Sequence, residues 1–173
     1  MKKSFIGACL GFLLSATVPA LASEWITEQP GEHLNQMETE LHGVLGTNDL
    51  GGGIRIGLPV ISQGFVPSLN NNVMLSLGVD FLNWPSSDYA VTGMVIPIML
   101  QWNFFLTRRW SLFGEGGVAV QDWFSRRANG DDQTLFIWPG LAAGARFYFN
   151  DGQYPALLLR VGYPSGLSVG IGF

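Results

Sequence analysis

The chain has 173 residues, of which 47% are hydrophobic and only 13% are charged. A soluble domain usually carries about a quarter charged residues, and the low charge, the 23 glycines and the 13% aromatic content together exclude a disordered chain. The net charge of −4 argues against a nucleic-acid-binding protein, which needs a basic surface to neutralise phosphates. After the first 22 residues no apolar run approaches the roughly 18 residues that span a bilayer as a helix.

The first 22 residues have the pattern of an export signal. Lys2 and Lys3 form a positive start, residues 5–18 are apolar, and 20–22 have the small-x-small pattern of a cleavage site. A retained membrane anchor is the less favoured interpretation, because the apolar run is short and ends in that site. Cleavage leaves Ser23–Phe173, with seven arginines, 13 acids and a net charge of −6. This part contains no cysteine, so it forms no disulfide.

The rest of the chain alternates apolar and polar residues with a period of two, interrupted by stretches rich in Gly, Asn, Asp and Pro. This alternation is typical of β-strands separated by turns. It predicts a polar arm over 23–36, which is disordered or lies under one rim, and a β-barrel over 37–173. Its eight strands are expected at roughly 37–47, 52–61, 72–82, 94–106, 110–123, 134–149, 155–163 and 166–173.

The two faces of the predicted strands differ in composition. One face is continuously apolar and carries no charge, whereas the other is dominated by Gly, Ala, Ser and a few isolated charges. A soluble sandwich or lipocalin would instead expose a face dense in Lys, Glu and Asp. An outward apolar band around a polar interior is the arrangement of a transmembrane β-barrel.

Aromatic residues sort by strand end when the N-terminus is placed on the periplasmic side. Such girdles are expected where amphipathic rings lie at the level of the lipid headgroups. The lower girdle consists of Trp102, Phe104, Phe105, Trp110, Phe147, Phe149, Tyr154 and Phe173. The upper girdle consists of Phe81, Trp84, Tyr89, Trp123, Phe124, Phe136, Trp138 and Tyr163.

With its export signal, its eight amphipathic strands and a last strand that ends in an aromatic residue, the chain resembles the small eight-stranded outer-membrane barrels of the OmpA/OmpX type. The resemblance is one of architecture and implies an outer-membrane location. It also implies that Phe173 is the signal presented to the barrel-assembly machinery. The chain departs from the OmpX-like pattern in its short first and fourth outer loops, 48–51 and 164–165, which argues against binding by tall loops at those corners.

An eight-stranded barrel is only wide enough for side chains to fill its interior, and buried charges must be paired there. A loose hairpin register predicts Arg55 beside Asp80 in the upper half and Glu115 beside Arg146 in the lower half. We favour a salt-bridged plug over a gate whose pairs exchange partners to pass small solutes. The charged residues assigned to the lumen are Glu38, Glu40, Arg55, Asp80, Glu115, Arg146 and Arg160.

Catalysis is not expected. Barrels that act on lipid A use His and Ser near the rim, and this chain has only His33 and His42, with no His-Ser dipeptide. Ser76 and Asp80 share a strand face but lie about 13 Å apart, too far for Asp80 to orient a base for Ser76. We expect His42 to be a lumen residue bonded to a carboxylate such as Glu40, or to a water.

No metal or other cofactor is expected either. Two histidines nine residues apart without cysteine do not match a zinc spacing. The acidic pair Asp131 and Asp132 falls short of the six to eight oxygens that calcium takes, so it is expected to be a solvated part of a loop.

The remaining candidates are two outer loops, at 83–92 and 124–133. In the second, Arg126 and Arg127 follow two aromatic residues and are placed to contact lipopolysaccharide phosphates, to which the arginine fork is suited. Ordinary anchoring at the membrane interface is the other interpretation.

The sequence therefore predicts a non-enzymatic integral outer-membrane protein with a filled lumen and an envelope structural or surface-interaction role. Its expected partners are outer-membrane lipid, lipopolysaccharide and, during biogenesis, the assembly machinery. The alternatives are a narrow conduit for small or apolar solutes and, third, a lipid A-modifying enzyme.

Overall fold

The computed structural model describes residues 25–46, 50–85, 90–127 and 130–173. At 84–85, 90–91, 123–127 and 130–134 it describes the backbone alone. The export signal predicted over 1–22 lies outside the described residues. The strands are β1 (Glu38–Leu45), β2 (Leu50–Ile61), β3 (Asn71–Pro85), β4 (Ala90–Phe105), β5 (Trp110–Arg127), β6 (Gly130–Asn150), β7 (Gln153–Tyr163) and β8 (Gly166–Gly172).

The strands form one closed antiparallel barrel. Each pairs with the next along the chain, and β8 pairs with β1 to close the sheet, with Ile171 opposite Leu41. The prediction of an eight-stranded, up-and-down, all-β barrel is confirmed. Within the described ranges, no helix has the length and apolar character needed to cross a membrane.

The period-two pattern places the apolar residues outside. Leu41, Leu100 and Leu159 are each about half exposed, at 53%, 55% and 51%. Their neighbours of opposite parity point inward, so that Asp80 and Arg160 are only 0% and 3% exposed. Because side chains alternate between the two faces of a strand, the residues on either side of an outward apolar residue face the lumen.

One side of the barrel is taller than the other. Strands β5 and β6 have 18 and 21 residues, whereas β7 and β8 have 11 and 7. The outer loops predicted at 83–92 and 124–133 are shorter than expected. The β3–β4 ladder continues to Pro85 opposite Ala90, and the β5–β6 ladder continues to Arg127 opposite Gly130. Asp131 and Asp132 therefore lie on β6, opposite Arg126 and Ser125, and not in a loop. Likewise, β2 begins at Leu50, inside the predicted first outer loop.

The N-terminal arm crosses the lower end of the barrel. The backbone N–H of Ile26 donates to the carbonyl of Leu106 at 3.0 Å, and the N–H of Asn70 donates to the carbonyl of Thr27 at 2.6 Å. Ile26 is 2% exposed and packs with buried Phe105. The segment 25–36 is therefore joined by its backbone and by an apolar side chain to the turns beneath the lumen.

The predicted girdle residues whose side chains are described lie at the two ends of the strands, and two of them do not face outward. At the lower end Trp110 lies 5.0 Å from Phe147 between ring centroids, and at the upper end Trp138 lies 6.1 Å from Tyr163. Phe105 and Tyr154, predicted in the lower girdle, have the inward parity instead. Phe105 is 7% exposed and stacks on His33, and Tyr154 donates to Glu38. The side chains of Trp84, Tyr89, Trp123 and Phe124 lie outside what the structure describes.

Candidate functional site: the charged lumen

The lower lumen is organised around Arg146. Its Nε donates to Glu38 Oε1 at 3.0 Å, and its Nη1 donates to Asn103 Oδ1 at 2.7 Å. The second oxygen of the Glu38 carboxylate accepts a 2.6 Å hydrogen bond from the Tyr154 hydroxyl. A charged guanidinium and a charged carboxylate, both almost fully buried, therefore each have further polar partners beyond their own pair.

The central lumen is organised around Arg160. Its two terminal nitrogens donate to the two oxygens of Glu40 at 2.6 and 2.7 Å, a bidentate arrangement that suits the planar guanidinium. Arg160 Nη2 also donates to Glu115 Oε1 at 3.2 Å. Arg55 donates to the other oxygen of Glu115 at 3.2 Å, so that this carboxylate bridges two arginines.

The upper lumen is organised around Asp80. Its Oδ2 accepts hydrogen bonds from Arg55 at 3.3 Å and from the Ser165 hydroxyl at 2.7 Å. Its Oδ1 lies 2.8 Å from Nε2 of His42, and the other ring nitrogen of His42 lies 3.2 Å from Oε1 of Glu40. Ser165 belongs to the β7–β8 turn, so this turn is bonded to the network inside the barrel.

An aromatic ring separates the lower pair from the central one. The guanidinium carbons of Arg146 and Arg160 lie 4.5 and 5.3 Å from the centroid of Phe113, which is 3% exposed. The negative face of an aromatic ring attracts cations. Phe113 thus supports both arginines without adding a charge.

The structure brings together Arg55 and Asp80, as the hairpin register predicts. It does not bring together Glu115 and Arg146. In the β5–β6 register Glu115 is opposite Ala142, whereas Arg146 is opposite Ser111 and lies nearer the lower rim, where it meets Glu38 across the lumen. The predicted pairing of Glu115 with Arg146 is therefore wrong.

Sequence reasoning missed three members of the network. Asn103 and Tyr154 have inward parity on their strands, and this parity is the signal that places their side chains in the lumen. Ser165 lies in a turn, where the alternation of strand residues gives no direction. His42 contacts Glu40, as expected, and in addition it contacts Asp80.

Two apolar layers, each a cluster of four buried side chains, lie towards the two ends of the charged lumen. The lower layer is made of Ile26, Phe105, Tyr148 and Ala156, and the upper layer of Val44, Leu82, Val95 and Ala119. A cavity beside Arg55, Glu115 and Arg160 has a volume of about 10 Å³. This volume accommodates about one water molecule.

Three further predicted site residues lie at or next to strand ends. Arg126 and Arg127 end β5, and their side chains lie outside the described part of the chain. Phe173 is 55% exposed, and its backbone exchanges two hydrogen bonds with Thr39 of β1 at 2.8 and 3.0 Å. Among the described residues, no three His, Cys, Asp or Glu side chains are grouped so that they could hold a metal ion.

No protein-family model matches the chain, and no curated protein matches it significantly. A solved structure that resembles it is the crystal structure of the N-terminal β-barrel domain of Pseudomonas aeruginosa OprF. The two chains are 20% identical, and the match covers 80% of this chain and 98% of the other with a TM-score of 0.49.

Proposed function

We propose that this chain is a non-enzymatic integral outer-membrane protein whose eight strands span the bilayer around a filled lumen. In this proposal it contributes to envelope integrity or to interactions at the cell surface. The observation that carries the proposal is the distribution of the described side chains, with apolar residues exposed around the barrel wall and the seven charged residues of the network inside it. Soluble proteins rarely expose an apolar patch larger than a few hundred Å², whereas lipid covers such a band.

The lumen geometry supports a barrel that does not conduct. Each arginine of the lumen is held by at least one carboxylate, so an ion that entered would have to displace a bonded partner. Apolar layers lie both below and above these pairs. The paired charges and the buried apolar side chains near both ends favour the plug over the conduit.

The surroundings of His42 support the absence of catalysis. A general base activates a hydroxyl or thiol through a hydrogen bond to one ring nitrogen. Both nitrogens of His42 face carboxylates, and the serine hydroxyl nearest in the network, that of Ser165, donates to Asp80. The network therefore has no activated nucleophile.

The membrane partners belong to the same proposal. Arg126 and Arg127, at the upper end of β5, are assigned to lipopolysaccharide phosphates, because a guanidinium bonds phosphate in a bidentate manner. Phe173 is assigned to recognition by the barrel-assembly machinery. The exposed ring of Phe173, beside a backbone already paired with β1, is consistent with a residue that acts before the barrel closes.

Electrophoretic migration of outer-membrane fractions with and without boiling tests the membrane placement. We expect the protein in that fraction and a band that shifts on heating, because a folded barrel resists detergent until it is heated. A soluble periplasmic protein without a shift would overturn the proposal and would make the apolar surface a contact for another molecule.

Single-channel recording of the reconstituted barrel tests the closed lumen. We expect no conductance from the natural protein, nor from Arg55→Ala or Glu115→Gln, since the apolar layers stay in place. Discrete openings of the natural protein that change in these variants would establish the conduit. A change in the mass of lipid A in cells that express the folded protein would establish the enzyme instead.

A further inference from the structure

Among the described side chains, the lumen charge network contains one more acid than arginine. Its carboxylates are Glu38, Glu40, Asp80 and Glu115, and its guanidiniums are Arg55, Arg146 and Arg160. Every one of these residues is at most 5% exposed. An uncompensated charge at such a depth costs several kcal/mol, so one further proton is expected inside the network.

His42 is the group that can hold this proton. A neutral imidazole has one N–H and one unprotonated nitrogen. If Nε2 carries the hydrogen, the lone pair of Nδ1 lies 3.2 Å from the carboxylate of Glu40, and no donor among the described residues reaches it. If Nδ1 carries the hydrogen, the lone pair of Nε2 lies 2.8 Å from Asp80 Oδ1. Each neutral form thus directs a lone pair at a carboxylate oxygen.

The carboxylates are poorer places for the proton. Both oxygens of Glu40 accept hydrogen bonds from Arg160, and both oxygens of Glu115 accept hydrogen bonds from arginines. Asp80 accepts hydrogen bonds from Arg55 and Ser165 at one oxygen and faces His42 at the other. Acceptance of several donated hydrogen bonds favours the ionised form of a carboxyl group.

The strands beside His42 make room for its ring. Its neighbours across β2 and β8 are Gly53 and Gly170. A Cβ at position 53 would lie 2.4 Å from Asp80 Oδ1 and 2.9 Å from His42 Nε2, and a Cβ at 170 would lie 2.7 Å from the Cβ of His42. Glycine at both positions allows the imidazole to lie between its two carboxylates.

We propose that His42 is an imidazolium and the fourth cation of the lumen, and that its proton holds Asp80, and through Asp80 the Ser165 turn, across the upper end. His42 contacts Glu40 of β1 and Asp80 of β3. The next charged groups around these carboxylates are Arg55 from β2, Glu115 from β5 and Arg160 from β7. Removal of the proton would leave the network with a net negative charge and a lone pair against a carboxylate. The contacts of His42, Asp80 and Ser165 therefore form a pH-sensitive latch, by which we mean that they hold the upper end closed and weaken in alkaline solution.

Nitrogen NMR of the folded barrel in detergent micelles tests the protonation state directly. The chain has only two histidines, so ¹⁵N-histidine labelling gives two imidazoles, and His33→Gln, at a residue bonded to Asn70 and Ser62 and not to the charge network, assigns the signals. At pH 7 we expect His42 to show two N–H groups and the nitrogen shifts of an imidazolium. One protonated nitrogen and one with the shift of a free lone pair would overturn the proposal.

The pH dependence of the heat-induced band shift tests the latch. We expect the midpoint of the natural protein and of His33→Gln to fall as the pH rises through the alkaline range. His42→Gln should start lower and lose that fall, because its amide has no proton to release. An identical alkaline dependence in His42→Gln would overturn the latch, and His42→Asn serves if the glutamine variant does not fold. The inference rests on the lumen geometry and not on the cellular role, so a change of role would leave both results unaltered.

Discussion

Arg160 places both terminal nitrogens of its guanidinium on the carboxylate of Glu40, at 2.6 and 2.7 Å, although the two residues lie on strands that are not neighbours. Arg160 belongs to β7 and Glu40 to β1, with β8 between them. The pair therefore connects the chain across its closing seam from inside. In a barrel whose first and last strands have 8 and 7 residues, this connection reinforces the shortest ladder, between β1 and β8.

Replacement of Arg160 by Met is expected to destabilise the barrel strongly. The substitution leaves Glu40 buried without its bidentate partner, and loss of one partner of a buried pair costs about 3–5 kcal/mol. The double variant Arg160→Met/Glu40→Leu should recover part of this loss, since it removes both charges. The free energy of unfolding in urea measures both effects, with the protein in lipid and the heat-shifted band as the readout of folded protein. A single variant as stable as the natural protein would show that the pair does not brace the seam.

Arg146 pairs with Glu38 and not with the predicted Glu115, and this difference shows which contacts of such a barrel can be predicted from its sequence. The faces follow from alternation, which is local, and Arg55 meets Asp80 because both lie on one hairpin. Arg146 and Glu38 are 108 positions apart and meet across the lumen. That contact depends on how far each strand is displaced along its neighbour when the sheet closes, and this displacement is not encoded in the alternation.

A charge on the outer face should lower the free energy of unfolding strongly at mid-height of the barrel and weakly at its rim. Leu159 lies near the middle of β7, outward and 51% exposed, whereas Gln153 is exposed at the lower end of the same strand. If lipid covers this face, Leu159→Arg costs about 2–4 kcal/mol and Gln153→Arg about 0–1 kcal/mol. The free energy of unfolding in lipid vesicles measures the difference. Equal costs for the two variants would argue against a lipid-covered band.

Ile26 is expected to fasten the N-terminal arm to the barrel. Its side chain is 2% exposed and packs with Phe105, Tyr148 and Ala156, while the neighbouring Trp25 is 70% exposed. Ile26→Ser removes the buried apolar contact and should release residues 25–36, because a polar side chain without a partner is unfavourable there. Limited proteolysis followed by mass spectrometry should then find cleavage in the arm, with the heat-shifted band retained.

Trp25→Ser is the matched control for this experiment, because it changes an exposed neighbour in the same segment. It should leave the arm as resistant to protease as it is in the natural protein. Cleavage of the arm at equal rates in the Trp25 and Ile26 variants would contradict the role of the buried side chain.

The two lower turns on either side of the β5–β6 hairpin are joined by an ion pair that should respond to acid. Arg109 Nε donates to Asp151 Oδ1 at 2.7 Å, and this hydrogen bond lowers the pKa of the exposed Asp151 carboxyl below its usual range. Because the folded state has the lower pKa, the pair stabilises the protein above the unfolded value of about 3.9 and loses this effect as the pH falls through the folded pKa. Asp151→Asn should be less stable than the natural protein at pH 7 and equally stable once the carboxyl is protonated, with the difference also reduced by salt.

Urea unfolding of both proteins across this pH range is the measurement, with Arg109→Gln as the partner control. A difference that persists unchanged in acid would mean that Asp151 acts through the turn backbone and not through its charge.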